Sequence, residues 1–394
     1  MNAASDFPAS PATEAAALTA LETPALVLDA ARMQANARMM LDRARTLGVT
    51  LRPHVKTAKC LEVALAACGG QPGPITVSTL KEAERFHAAG YTDILYAVGI
   101  APNKLAHVAR LRRAGCDLKI ILDNASAAEA VVQARMAEAV DLPCLLEIDC
   151  DGLRGGLRPD DPALVAVAGR LRDGGVTVAG VLTHAGDSYN CRGEAAIAAM
   201  AEQERAACVQ AAERLRAAGH ACPIVSVGST PTARYARHLD GVTELRAGVY
   251  IFFDLVMAGI GACTQDEIAL SVLVTVLGHQ ADKGWILTDG GWMAMSRDRG
   301  TARQPVDQGY GAVCDAAGRP IEGLRMIDAN QEHGILAFAG DATGRDLAAQ
   351  FPVGTLLRIL PNHACATGAQ HPAYHVVRGE SPRVEAVWAR FSGW

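Results

Sequence analysis

From residue 50 to residue 250 the chain alternates between short apolar runs and longer segments whose apolar positions recur three and four apart. The runs fall at 51–56, 75–79, 94–98, 118–123, 145–149, 179–184, 224–229 and 243–250, and helical segments such as 80–89, 103–114, 125–139 and 194–218 lie between them. Eight strands with helical crossovers predict an α/β fold, a (β/α)8 TIM-type barrel, because parallel strands need crossovers and both faces of the sheet must be covered. A doubly wound open sheet is the alternative. The first run is not followed by G-x-G-x-x-G, which counts against it.

Beyond about residue 262 the pattern changes. Runs at 268–279, 285–288, 334–338, 355–360, 374–377 and 384–391 read as strands, with one short helical segment near 345–351. Their spacing and turn residues predict a mostly antiparallel β domain. The run 25–29 precedes the first barrel helix and is expected to pair with that domain. The expected organisation is a poorly ordered tail over 1–20, a barrel over 30–262, and a β domain built from 21–29 and 263–394.

Composition narrows the ligand class. Of the 394 residues 50% are hydrophobic and 20% charged, and the net charge is −5. No basic block offers a footprint for nucleic acid or an anionic membrane, so a small molecule is the expected partner. No apolar run reaches the roughly 18–20 residues that span a bilayer. The first residues lack the basic and apolar regions of a signal peptide. Eleven scattered cysteines, an odd number, do not make a disulfide framework and fit a reducing cytoplasm.

In a barrel the chemistry sits at the C-terminal ends of the strands. Those ends supply Lys56, Thr79, Asp123, Asp149 with Arg154 beyond it, His184, Gly228-Ser229-Thr230 and Gly248-Val249-Tyr250. Lys56 could form a Schiff base with an aldehyde, although taken alone it reads more readily as a surface or ion-paired lysine. Gly228-Ser229-Thr230 and Gly248 with Tyr250 suit a phosphate cradle, or an ordinary capped turn. His363-Ala364-Cys365 ends a strand-like run. In extended backbone both side chains face one way and could meet a borderline-soft ion such as zinc. Arg297, Arg299 and Arg303 could hold an anionic substrate, and Asn330-Gln331-Glu332-His333 offers acid/base groups. A solvated loop and a polar turn are the plainer readings of those two stretches.

Six stretches occur together and in order: Arg52-Pro53-His54-Val55-Lys56-Thr57, Thr183-His184-Ala185-Gly186, Gly228-Ser229-Thr230, Arg246-Ala247-Gly248-Val249-Tyr250, Asn330-Gln331-Glu332-His333-Gly334 and Pro361-Asn362-His363-Ala364-Cys365. In this the chain resembles the D-serine dehydratase-like family of pyridoxal-phosphate enzymes of fold type III, from about residue 21 to residue 394. That family includes D-serine dehydratases, D-threonine aldolases and 3-hydroxyaspartate lyases. The stretches 75–84, 291–303 and 362–370 resemble its bacterial D-threo-3-hydroxyaspartate dehydratases most. Cys365 stands where the aldolases usually carry Asp, which favours elimination over carbon–carbon cleavage.

The resemblance implies an alanine racemase-like barrel in which Lys56 holds pyridoxal 5'-phosphate covalently. Gly228, Ser229, Thr230, Gly248 and Val249 or Tyr250 would bind its phosphate, with Arg154, His184 and Tyr189 near the ring. His363 and Cys365 would bind a divalent metal (Zn, Mn, Co or Mg) and take part in catalysis with Lys56. Arg297, Arg299, Arg303 and His333 are the candidate substrate contacts. The implied activity is that of a carbon–nitrogen lyase converting a D-β-hydroxy-α-amino acid, foremost D-threo-3-hydroxyaspartate, to oxaloacetate and ammonia. D-serine dehydration, aldol cleavage and a non-catalytic pyridoxal-phosphate carrier are the alternatives. Family members often pair as homodimers. Asp187 departs from the family's smaller residue, and His54 has no assigned role.

Overall fold

The computed structural model describes residues 17–340 and 345–394. Of the expected tail, residues 1–16 lie outside the described residues. The remainder differs from expectation: Leu18–Ala20 form a 3-10 turn, because Leu18 buries itself against Ala25, Val27, Leu273, Val377 and Val384. The chain divides into two compact units. One comprises Gln34–Ile251, Ile260–Cys263 and Phe391–Trp394, and the other comprises the residues up to Met33, Phe252–Gly259 and Thr264–Arg390.

Along the chain, strand β1 (Ala25–Asp29) belongs to the second unit. The first unit is built on β2 (Thr50–Leu51), β3 (Ile75–Val77), β4 (Asp93–Gly99), β5 (Asp117–Leu122), β6 (Cys144–Ile148), β7 (Val178–Thr183), β8 (Ile224–Val227) and β9 (Glu244–Leu245). They pair in parallel in the order β2-β9-β8-β7-β6-β5-β4-β3, and a parallel bridge between His54 and Thr76 joins the two edges. The eight expected runs thus form one closed parallel sheet. Leu95, Ile121, Leu145, Ala179 and Leu182 form one of its buried apolar clusters. Helices such as Leu80–Ala88, Leu105–Arg113, Ala125–Glu138 and Gly193–Ala217 supply the crossovers.

The second unit contains β10 (Leu270–Gln280), β11 (Trp285–Thr288), β12 (Gly311–Asp315), β13 (Pro320–Ala329), β14 (Gly334–Phe338), β15 (Leu356–Pro361), β16 (Ala373–Val377) and β17 (Ala386–Ala389). The order β11-β14-β13-β12-β15-β10 closes because β10 also pairs with β11, giving an antiparallel barrel. β1 lies antiparallel to β10, with Ala25 opposite Leu273, and parallel to β16. Strands β12 and β13 were not expected. Their segment carries Pro320, Gly311, Gly318 and Gly323, which read as turn residues until the neighbouring strands supply pairing partners.

No helix among the described residues is long and apolar enough to cross a membrane. All eleven cysteines are free thiols, seven of them buried.

Candidate active site

The turn that carries Lys56 follows a continuous edge. β2 pairs with β9 at Thr50 and Leu51, and the ladder runs on through the Arg52 N–H on the Leu245 carbonyl at 2.9 Å and the His54 N–H on the Ala247 carbonyl at 2.7 Å. Pro53 lies between them and has no N–H to donate, while its carbonyl accepts from the Thr76 N–H at 2.8 Å on the β3 side. The chain then leaves the sheet in a turn closed by the Lys59 N–H on the Val55 carbonyl at 2.8 Å. Lys56 therefore lies beyond the strand rather than at its edge, and its side chain is exposed. Its N–H points to Nδ1 of His54 at 3.5 Å. Burial, and then the charges of Lys56, Arg246 and His184, push the His54 pKa well below the ordinary histidine value. The turn's far end is fixed by Lys59, whose ammonium reaches the buried Glu82 carboxylate at 3.2 Å. Glu82 also accepts from the Ser78 N–H at 3.1 Å and hydroxyl at 2.8 Å.

His184 follows β7 directly. Its Nδ1 lies 3.0 Å from the carbonyl oxygen of Gly228, so this nitrogen carries the proton and donates. Burial pushes the imidazole pKa down to about 3, helped by the charges of Arg154, Lys56 and Arg246. Gly228 has φ +139°, and a Cβ there would stand 1.9 Å from the Arg246 carbonyl oxygen. Its N–H donates to Glu204 at 3.0 Å and is not directed to a ligand. That corrects the expectation that Gly228 binds phosphate directly. Ser229 caps the helix Thr230–Tyr235 by accepting from the Thr232 N–H at 3.2 Å, and its hydroxyl also meets that of Ser188 at 2.9 Å. The Thr230 hydroxyl accepts from the Tyr250 N–H at 3.2 Å.

Three backbone donors remain at this corner. Among the described residues the N–H groups of Thr230, Gly248 and Val249 find no protein acceptor. Gly248 packs close to the Lys56 turn, since a Cβ on it would lie 2.9 Å from the His54 carbonyl oxygen and 3.2 Å from the Thr57 hydroxyl. Arg246, buried two residues earlier, ties the β7 and β8 ends by donating to the Thr183 carbonyl and, at 2.8 Å, to the Ser226 hydroxyl.

The loop after β6 supplies Arg154, whose guanidinium reaches Glu147 at 3.3 Å. Asp151 in that loop accepts from the Asp187 N–H at 2.8 Å. The Asp187 side chain turns the other way and accepts from Asn190 at 2.9 Å, so it stiffens the short turn that presents Tyr189. The Tyr189 ring lies 6.3 Å from that of His184.

In the second unit β15 ends at Pro361, and His363 is the N-cap of the helix Ala364–Gly368. His363 and Cys365 are therefore not two positions of one extended strand, which corrects the expected geometry. The helix start still brings their side chains into hydrogen-bond contact. Nδ1 of His363 meets Asp298 at 2.8 Å, and Asp254 accepts from the Ala364 N–H at 3.0 Å. Burial opposes charge on this ring, but Asp298, Cys365 and Asp254 outweigh it and push the His363 pKa up to about 11. The pocket thus favours positive charge. Among the described residues no group of three or more His, Cys, Asp or Glu side chains is placed to hold a metal, so the chain offers two donors here.

Comparison with known proteins now adds to the geometry. Residues 28–256 match the model of the alanine racemase N-terminal domain, and residues 269–377 match that of a putative serine dehydratase domain. The chain is 57% identical to D-threo-3-hydroxyaspartate dehydratase from Delftia sp. (strain HT23), covering 96% of this chain and 99% of that protein. It belongs to this family of alanine racemase-like enzymes. The solved structure of a cysteine-to-alanine variant of D-threo-3-hydroxyaspartate dehydratase in its metal-free form superposes with a TM-score of 0.94 at 56% identity, covering 96% and 100% of the two chains. D-threonine aldolase from Arthrobacter sp. is 32% identical, covering 96% and 94%. The barrel unit accordingly has the alanine racemase-like fold of pyridoxal-phosphate enzymes.

Within this family member the barrel unit gathers Lys56, Arg154, His184, Tyr189, Ser229, Thr230, Gly248, Val249 and Tyr250 at the C-terminal ends of its strands. The second unit gathers His363 and Cys365. In that unit Arg299 is paired with Asp307 at 2.9 Å and stacked on Tyr310, and Arg297 lies 4.9 Å over Trp292. Arg303 and His333 are exposed. Glu204 and Asp298 had no role assigned from the sequence, and Arg246 stood there only as the first residue of a motif. Glu204 did leave a signal, because it falls in phase with the buried Ile197, Ala201, Cys208, Ala211 and Leu215 of its helix.

Proposed function

We propose that the chain is a pyridoxal-phosphate- and metal-dependent dehydratase that converts D-threo-3-hydroxyaspartate to oxaloacetate and ammonia. The observation that carries this reading is the 57% identity to D-threo-3-hydroxyaspartate dehydratase along 96% of the chain. The barrel fits the cofactor chemically. The N–H groups of Thr230, Gly248 and Val249 would receive its phosphate, and the small Gly248 leaves the room that a phosphate oxygen needs. Lys56, exposed on its turn, is the amine within this set that would hold the aldehyde. Bound there, pyridoxal phosphate supplies the electron withdrawal that makes the substrate's α-hydrogen acidic.

The protein's own groups divide the remaining work. Lys56 Nζ takes the α-proton, and a single base selects the configuration that turns its hydrogen toward it. Donation from Nδ1 to the Gly228 carbonyl leaves His184 Nε2 free of a proton, so that ring would present a neutral edge to a bound cofactor. Arg154 and Tyr189 bound the same pocket. In the second unit His363 and Cys365 form a donor pair suited to a borderline-soft divalent ion, with Asp298 orienting the imidazole. Such an ion supplies Lewis acidity for loss of the β-hydroxyl. Arg297 and Arg303 pair with no carboxylate among the described residues and are the better anchors for the β-carboxylate than Arg299, which Asp307 already engages. His333 remains a candidate substrate contact from the same unit.

The test is a product assay over D-serine, D-threonine and the four 3-hydroxyaspartate isomers. Equal amounts of oxaloacetate and ammonia from the D-threo isomer, lost on chelation and regained with divalent metal, are expected. Glycine with glyoxylate from that substrate would overturn the proposal in favour of aldol cleavage.

A further inference from the structure

We propose that Glu204 is a positioning residue of the barrel-top site: its buried carboxylate holds the loops after β7 and β8 in the one arrangement that presents His184 and the Ser229–Thr230 corner together. The inference rests on the reading of that corner as the cofactor-phosphate site.

Glu204 sits midway along the helix Gly193–Ala217, on the face that buries Ile197, Ala201, Cys208 and Leu215, and is only 1% exposed. A carboxylate on a core face is costly unless its oxygens are satisfied. Here one oxygen, Oε1, accepts from the Ala185 N–H at 2.9 Å and from the Gly228 N–H at 3.0 Å, and the Thr232 hydroxyl also bonds the carboxylate. Ala185 follows His184, and Gly228 precedes Ser229. One atom therefore fixes the residue after the histidine and the residue before the cradle.

Gly228 explains why such a clamp is needed. At φ +139° it occupies backbone space open essentially to glycine alone, and glycine has the least preference of its own for any one conformation. Glu204 restrains it through its N–H, and His184 restrains it through its carbonyl at 3.0 Å. The chain Glu204–Gly228–His184 thus links the buried acid to the imidazole's tautomer. Arg246 compensates the acid's charge while donating to Thr183 and Ser226, which lie on the same two strands.

The experiment titrates pyridoxal phosphate, and separately inorganic phosphate, into full-length protein stripped of cofactor, comparing wild type, Glu204→Gln and Glu204→Met, with the thermal midpoint of each as a control. The amide oxygen of glutamine can replace Oε1, so E204Q should bind within about twofold of wild type, whereas E204M, similar in length but without an acceptor, should bind about tenfold more weakly or worse. Wild-type affinity in E204M, or equal losses in E204M and E204Q, would overturn the role of Glu204 and leave the cofactor site standing. A wild-type protein that takes up no pyridoxal phosphate would overturn both. Should E204M not fold, hydrogen exchange on the stripped wild-type protein decides the matter. The Ala185 and Gly228 amides should be as protected as those of β7 and β8, and exchange at the rate of an open loop would remove the clamp.

Discussion

Nδ1 of His184 donates to the carbonyl oxygen of Gly228 across 3.0 Å, and this single bond fixes which nitrogen of the ring is bare. Burial first, then the nearby cationic groups, lower the ring's pKa to about 3, so protonation would cost the native state. An unfolded histidine takes up its proton near pH 6.5, while the native ring does not until about pH 3. Stability from this group is therefore complete above about pH 6.5, falls as pH drops through the window, and levels off below the folded value. The slope is at most about 1.4 kcal/mol per pH unit, and less because the residue is only partly buried. In His184→Asn the amide can still donate to Gly228 but does not titrate. The wild type should lose more stability than this variant between pH 6.5 and 4 in urea melts of cofactor-free protein, and parallel pH curves would contradict the assignment.

Two glycines of the same corner should fail differently. In Gly228→Ala the new Cβ would meet the Arg246 carbonyl oxygen at 1.9 Å, and the φ of +139° is closed to alanine, so the backbone itself must move. A loss of about 2–4 kcal/mol in folding stability is expected, from overpacking and backbone strain together. In Gly248→Ala the nearest atom is the His54 carbonyl oxygen at 2.9 Å, with the Thr57 hydroxyl at 3.2 Å, and no positive φ is involved. That methyl must push back the backbone of the Lys56 turn, so a smaller loss of folding stability than in Gly228→Ala is expected, together with weakened pyridoxal-phosphate binding. Differential scanning calorimetry and cofactor titration separate the two outcomes.

The barrel was legible because its strands are buried on both faces and its helices are amphipathic, so the alternation survives in the sequence alone. The hairpin of β12 and β13 was not. Pro320, Gly318 and Gly323 give the segment a turn-like composition, and β12 finds its outer partner in β15, which is distant in the chain. Residues that stand at the strand ends were readable from motif order, whereas those acting through the backbone were not. Glu204 lies in an Ala-rich helix far in sequence from both loops it bonds, and Asp298 stands in an arginine-rich run whose charge suggested substrate rather than His363. Cys365 and His363 were expected side by side on a strand, whereas a helix start brings their side chains into contact.

Lys56 is the exposed end of a turn pinned by Lys59 on Glu82 and by His54 on the Ala247 carbonyl. Borohydride reduction of the holoenzyme followed by peptide mapping should place one pyridoxyl group on Lys56 and none on Lys59, whose ammonium is held by the Glu82 carboxylate. Lys56→Ala should carry no covalent label and lose at least about a hundredfold in kcat, the usual scale for removing a general base. A label that persists in this variant would take the role away from Lys56.

Asp298 offers the sharpest separation of metal binding from folding. Its carboxylate holds Nδ1 of His363 at 2.8 Å, which orients the ring and leaves the other nitrogen to join Cys365 in a donor pair. A carboxylate on the remote nitrogen raises the basicity of a ligating imidazole, and removing such a partner typically costs about 10–100-fold in metal affinity. In Asp298→Asn the amide can still accept the ring proton but no longer contributes charge, so the loss should fall toward the lower end of that range. Asp298→Ala frees the ring and should lie toward the upper end. Chelator competition with zinc or manganese measures both directly, and activity should return in each variant as metal is raised. Pyridoxal-phosphate content should stay that of wild type, because the cofactor donors lie on the barrel unit. Activity in D298A that metal does not restore, with cofactor still bound, would show that Asp298 serves a step other than holding His363 to its ion.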